Sequence, residues 1–158
     1  MKKKTLDSLD NEIIRLLTED GRMPIGDMAE RLNVTAPTVR SRIKNLEESG
    51  TLKVSGLVDT YQHQELITAL IGLDIRSHGK LDQILEKVSR LDNVTWAAVV
   101  TGRYDIFAEV VVTGGTQELY RFTTEIIPRV GTVVKSETFV IIKSRQKWVR
   151  LPEAVEEI

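Results

Sequence analysis

The hydrophobic period of this chain changes once, at Gly50, and the change sets what each part can fold into. Before Gly50 apolar residues recur at helical spacing; after it, β-branched runs alternate with helical stretches. In the first part Leu9, Ile13, Leu16 and Leu17 fall on one helix face, with Asp7 or Ser8 as a cap and Gly21 as a terminator. Ile25, Met28, Ala29 and Leu32 define a second, short helix after Pro24, ended by Asn33 in a left-handed conformation. Thr35 then caps a third helix, with Pro37 in its first turn and Val39, Ile43 and Leu46 facing inward, closed by Gly50. Leu52 to Val58 reads as a strand or half of a small wing, and the polar run 59–65 as a connector.

The rest predicts strand, helix, strand, strand, helix, strand. Ile67 to Ile75, Val94 to Val100, Ile106 to Val112 and Val133 to Ile142 are the strands. Leu81, Ile84, Leu85, Val88 and Leu91 mark one helix. Leu119, Phe122, Ile126 and Ile127 mark the other, capped by Thr116 and stopped by Pro128. This is a split βαββαβ unit of the ferredoxin-like kind, and the fold class is α+β. Three of its strands are apolar on both faces, for example Val94, Trp96, Ala98 and Val100 against Ala97 and Val99. Two helices cover one face of such a sheet, so the other is expected to meet a second copy; the alternative is cover by a loop or the N-terminal helices.

Composition narrows the chemistry. The 158 residues include no cysteine, which excludes disulfides, thiol catalysis and Cys-ligated metal. His63 and His78 do not make a metal site on their own, and no cofactor is expected. No apolar run approaches the ~18–20 residues of a membrane span. Lys2 to Lys4 are followed by Asp7, Ser8 and Asp10 where a signal peptide needs an apolar core, so a cytoplasmic protein is expected. Net charge is −1, so nucleic-acid binding requires a local patch. There is no phosphate-binding glycine loop and no catalytic constellation. Glu109, inside an apolar strand, reads as an edge or interface residue with a partner, or else as a buried functional acid.

The helix pair from 25 to 44 supplies such a patch. From Arg31 to Lys44 the charges are Arg31, Arg40, Arg42 and Lys44, with no acid among them. Ala36, Pro37, Thr38, Arg40, Ser41, Arg42 and Lys44 remain on the outer side of the third helix, the side that enters a major groove in helix-turn-helix proteins. The competing reading is a plain three-helix unit with a solvated basic face. In the turn Thr101 to Asp105, Arg103, Tyr104 and Asp105 suit a zwitterion: Arg for a carboxylate, Asp for an ammonium and Tyr along the side chain. The competing reading is an ordinary hairpin turn with polar decoration.

The sequence resembles the leucine-responsive/asparagine-regulator (Lrp/AsnC, feast/famine) transcription factors. The likeness lies in Leu6-Asp7-Ser8-Leu9-Asp10, Ile13 to Leu17, Asp20-Gly21-Arg22, Met28 to Leu32, Val34 to Val39 and Arg42 to Gly50. It continues in the Gly102 to Asp105 turn and Thr138-Phe139-Val140-Ile141, and covers about residues 6 to 148. The resemblance implies a winged helix-turn-helix domain at 1–58, a β linker at 59–65, an effector-binding and oligomerisation (RAM) domain at 66–148 and a tail at 149–158. It implies dimers built through the C-terminal sheets, often octamers, on a pseudo-palindromic double-stranded DNA site. It also implies a small effector, commonly an amino acid, near Gly102, Arg103, Tyr104, Asp105, Phe139 and Val140. The family's turn usually has an acid after the glycine; Arg103 here would take a carboxylate itself, select another ligand or fill the pocket. Sirohaem decarboxylases are similar in both domains, but the stretch Val94 to Phe107 lacks their histidines. A non-specific architectural DNA binder is the remaining alternative.

Overall fold

The computed structural model describes residues 5–76 and 78–155. Residues 1–4, Ser77 and 156–158, which hold the N-terminal lysines and the end of the expected tail, lie outside them. The chain forms two compact units that divide between Gly56 and Leu57.

The N-terminal unit holds α1 (Ser8–Glu19), α2 (Ile25–Arg31) and α3 (Ala36–Glu48). Asp7 caps α1 through a reciprocal pair: its Oδ1 accepts from the Asp10 amide at 2.8 Å, and its own amide donates to Asp10 Oδ2 at 3.4 Å. The helix ends at Asp20 in extended backbone, so Gly21 is not the left-handed terminator expected of it. Asn33, at φ 52°, does make the expected left-handed turn between α2 and α3. Thr35 Oγ1 accepts from the Thr38 amide at 3.4 Å, and Pro37 sits in the first turn, where no intrahelical donor is lost. Ile13, Met28, Ala29, Val39 and Leu46 form the buried centre.

No strand forms between Leu52 and Leu57. Val54 and Leu57 stay exposed, and an extended segment without a hydrogen-bonded neighbour is not a sheet. The expected wing is absent from this unit. Val58 alone pairs, with Val149.

The C-terminal unit contains β1 (Ile67–Ile75), α4 (Leu81–Ser89), β2 (Val94–Val99), β3 (Ile106–Val112), α5 (Gly115–Arg121) and β4 (Val133–Val140). The sheet runs β2-β3-β1-β4 and is antiparallel throughout, the ferredoxin-like order expected. Ala69, Ile71, Leu73, Ile106, Ala108 and Val110 face α4 and α5 and meet Ile84, Val88, Leu119 and Phe122. Pro128 does not stop the last helical stretch. After α5 the chain passes through a π turn (Phe122–Ile126) and a 3-10 turn (Ile127–Val130) with Pro128 in its first turn. Phe122 and Ile127, five residues apart, are both buried, as that wider register allows.

Simple alternation fails in β2. A bulge between Val94 and Trp96 leaves Val94 and Ala97 both against the helix-side core, while Trp96 and Ala98 oppose Glu109 and Phe107 on the other face.

The expected linker and tail are folded parts of this unit. Asp59 caps a short 3-10 turn, and Thr60 is buried, its hydroxyl bonded to that of Thr68 at 2.8 Å. Val58 and Val149 exchange backbone hydrogen bonds of 2.8 and 2.9 Å. Leu151 and Val155 pack on Leu66, Val111 and Val149. Both segments carry apolar residues that sheet residues Thr68 and Val111 can bury, so they dock instead of remaining solvated. The second sheet face is thus partly covered by the chain's own C-terminal segment, one of the alternatives to a second copy.

Candidate functional site

The outer side of α3 presents Pro37, Arg40, Ser41 and Lys44 to solvent, with Thr38 half-buried. Ala36 instead packs partly against the three-helix core. Lys44 reaches Glu48 at 3.7 Å, but both side chains are largely exposed, so the pair is weak and its charge available.

Arg42 stands apart from the other basic residues. Its Nη1 donates to Asp7 Oδ2 at 2.5 Å and to Asp10 Oδ1 at 3.1 Å. Asp10 is 4% exposed. The contact ties α3 to the capped start of α1. The Asp10 amide, and then the Arg42 guanidinium, hold the Asp7 carboxyl below its ordinary value, and the same acids raise Arg42. Arg42, expected with the DNA contacts, is therefore engaged in setting the helix crossing. The two acids of the Leu6 to Asp10 stretch were the signal, but only the fold shows that they face α3.

The turn between β2 and β3 is built more tightly than its polar sequence indicates. Gly102 adopts φ 128°, open to glycine and strained for other residues. Tyr104 is 8% exposed, with its ring laid on Gly72 of β1; a Cβ at Gly72 would sit 2.7 Å from that ring. Phe107 and Phe139 meet the ring edge-on at centroid distances of 5.4 and 6.3 Å. The Tyr104 hydroxyl donates to Glu137 Oε2, and Arg103 Nη2 lies 3.2 Å from the same oxygen. That hydrogen bond raises the Tyr104 phenol above its ordinary value and lowers the Glu137 carboxyl. Asp105 Oδ2 accepts from the Ile75 amide at 2.7 Å, holding the turn to the end of β1.

Gly102, Arg103, Tyr104, Asp105 and Phe139 thus come together. Val140, next to Phe139 on β4, pairs with core residue Ala69 and so faces the opposite side of the sheet. Tyr104 and Asp105 are committed to the scaffold, which leaves Arg103 and Glu137 as the charged groups that meet solvent, their side chains 68% and 35% exposed. Glu137 and Gly72 were not anticipated. A glycine inside an apolar strand signals a close approach, which is the clue that would have found Gly72.

Glu109 occupies a central strand, not an edge, and is 1% exposed. Thr95 Oγ1 donates to its Oε1 at 2.7 Å, and Lys147 Nζ pairs with its Oε2. Among the described residues no cluster of His, Asp and Glu is placed to hold a metal, and no helix is long and apolar enough to cross a membrane.

Residues 6–47 match the AsnC-type helix-turn-helix domain, and residues 68–148 match the Lrp/AsnC ligand binding domain. A curated relative named "Uncharacterized HTH-type transcriptional regulator", from Pyrococcus abyssi, is 36% identical over 148 residues, 93% of this chain and 92% of the relative. Regulatory protein AsnC of Haemophilus influenzae is 28% identical over 140 residues, 88% of this chain and 93% of its own length. Among solved structures, E. coli AsnC superposes with a TM-score of 0.69 at 23% identity, covering 89% of this chain and 95% of that one. A Neisseria meningitidis transcriptional regulator solved as an L-Met complex gives 0.71 at 21%, covering 94% and 97%. With both halves matched in order and the fold shared, the chain belongs to the Lrp/AsnC family: a transcriptional regulator with a DNA-binding helix-turn-helix domain and a ligand-binding domain.

Proposed function

We propose that the protein reads a pseudo-palindromic double-stranded DNA site as a homodimer, and that a small organic effector shifts its assembly or DNA affinity. The observation that carries DNA reading is the outer side of α3, where Arg40 and Lys44 lie with no acid from Arg31 to Lys44. Pro37, Thr38 and Ser41 approach the base edges, Arg40 takes a base or phosphate, and Lys44 takes phosphate. Ala36 and Arg42 support this surface from within. Pairing through the second sheet face is supported by Trp96 and Phe139, exposed at 44% and 43% on the part the C-terminal segment leaves open. Two such dimers, or four in an octamer, place several reading helices on one DNA.

The effector is an amino acid or a related metabolite, met by Arg103 through its carboxylate and by Glu137 through its ammonium group. The L-Met complex of the Neisseria regulator supports this class. No residue is assigned to catalysis, and a cytoplasmic protein acting on the chromosome fits this reading.

Selection from a random duplex library with the purified protein tests the DNA half. A two-fold-symmetric motif is expected, weakened in Arg40→Ala. Binding equal for random and selected DNA would replace this reading with an architectural role. Light scattering tests the assembly: two or eight copies are expected, and a monomer at micromolar concentration refutes the sheet-to-sheet dimer.

A further inference from the structure

A groove of about 750 Å³ lies on the helix-side surface of the C-terminal unit, well within the size of small-molecule sites. It sits where β2 begins and β3 ends. The Gly102 to Asp105 turn is at the other end of that hairpin, past the Val99–Ile106 pair. Lys87 and Leu91 of α4 line one side. Ile126, Arg129 and Val130, from the π and 3-10 turns after α5, line another, and Ala154 of the C-terminal segment also contributes.

Charge and polarity are unevenly used there. Glu118 and Arg121, which also line the groove, satisfy each other through contacts of 2.5 and 2.9 Å. Among the described residues neither Lys87 nor Arg129 has a hydrogen-bonded or ion-pair partner. Asp92 is the acid left to oppose these two cations. Leu91, Ile126, Val130 and Ala154 give the groove an apolar lining. The helix wall that carries Ile126 is π-helical, a form uncommon in ordinary helices and frequent at functional sites.

We infer that this groove is a second ligand site, separate from the effector turn, which takes a small organic anion: a carboxylate on Lys87 and Arg129 with a short aliphatic tail along Leu91, Ile126 and Val130. The cations supply charge selection and the apolar residues supply the contact area. This site is independent of DNA reading and of the Arg103–Glu137 pair.

The full-length protein, with its isoleucine methyls isotope-labelled, is titrated with hexanoate and separately with hexylammonium and inorganic phosphate. A ligand of about eight heavy atoms is expected to bind at about 1 mM, so the titration runs to about 10 mM. Hexanoate should move the Ile126 methyl resonance and leave Ile13, in the other unit, unmoved. Hexylammonium should have no such effect. Lys87→Gln/Arg129→Gln, both surface replacements, should weaken the hexanoate response at least tenfold while the remaining methyl spectrum stays in place. Three outcomes overturn the inference: no movement of Ile126, equal movement with hexylammonium, or a response that survives in the double variant. Movement with phosphate but not hexanoate also overturns it, because the aliphatic contact would then contribute nothing.

Discussion

Replacing Lys147 by alanine should loosen the C-terminal segment from the sheet. Lys147 is the cation against Glu109, whose side chain is 2% exposed, and Thr95 is that carboxylate's other side-chain partner. Breaking a buried ion pair by removing one member costs ~3–5 kcal/mol, because a desolvated charge is left unmatched. Lys147 itself keeps 29% of its side chain in solvent, so water can enter the vacated space; the lower part of that scale, about 2–3 kcal/mol, applies. For a unit of this size that is a fall in Tm of roughly 10–20 °C. The double variant Glu109→Leu/Lys147→Met removes both charges, and Thr95 keeps its bond to the Glu109 carbonyl at 3.3 Å. Apolar replacement of a whole pair is often neutral, so the double should recover most of the loss. Thermal and urea melts followed by Trp148 fluorescence, one residue from the change, report the unit directly. Lys147→Ala melting within about 1 °C of the parent would refute the clamp, as would a double variant no more stable than the single.

Arg40→Ala should lower DNA affinity and reduce the salt slope of binding by about one, without changing the melt. Arg42→Ala should instead lower the Tm of the N-terminal unit, with DNA affinity falling only as the crossing of α3 on α1 relaxes; the two variants separate contact from support. Asp7 is depressed below its ordinary 3.8, so its contribution is present above that value and lost as pH falls through the folded value. The parent should therefore lose stability on acidification below about pH 4 more steeply than Arg42→Ala. Of the three tyrosines, Tyr104 should ionise last, above the ordinary 10, by absorbance titration, and Glu137→Ala should bring it down. Its raised value stabilises the fold below pH 10 and is lost as pH rises through the folded value. Gly72→Ala should cost about 1–3 kcal/mol, since its Cβ would fall 2.7 Å from the Tyr104 ring, and should disturb the same titration.

What could be read from the residues alone followed how local the cause was. The caps at Asp7 and Thr35 and the turn at Asn33 act within a few residues, and each stands where the pattern put it. The four strands and their order follow from spacing and from the rules of short connections. The bulge before Trp96 has no such signature, so the faces of β2 were misassigned. Residues 59–65 looked like a connector and the C-terminal residues like a tail because their partners, Thr68 and Val111, are remote or not adjacent in the pattern. Arg42 and Arg40 are indistinguishable by composition, and Asp10, 32 positions away, decides between them. Glu137 was hidden similarly: it reaches the turn across the sheet, from 33 residues beyond Tyr104.

The two-bond bridge between Val58 and Val149 brings the entry and exit of the C-terminal unit side by side. A unit with such neighbouring ends can be spliced into a surface loop of a host protein without prising that loop apart. Grafted as residues 57–155 between the halves of a fluorescent reporter, it would turn ligand-induced tightening into an optical signal, with no DNA required.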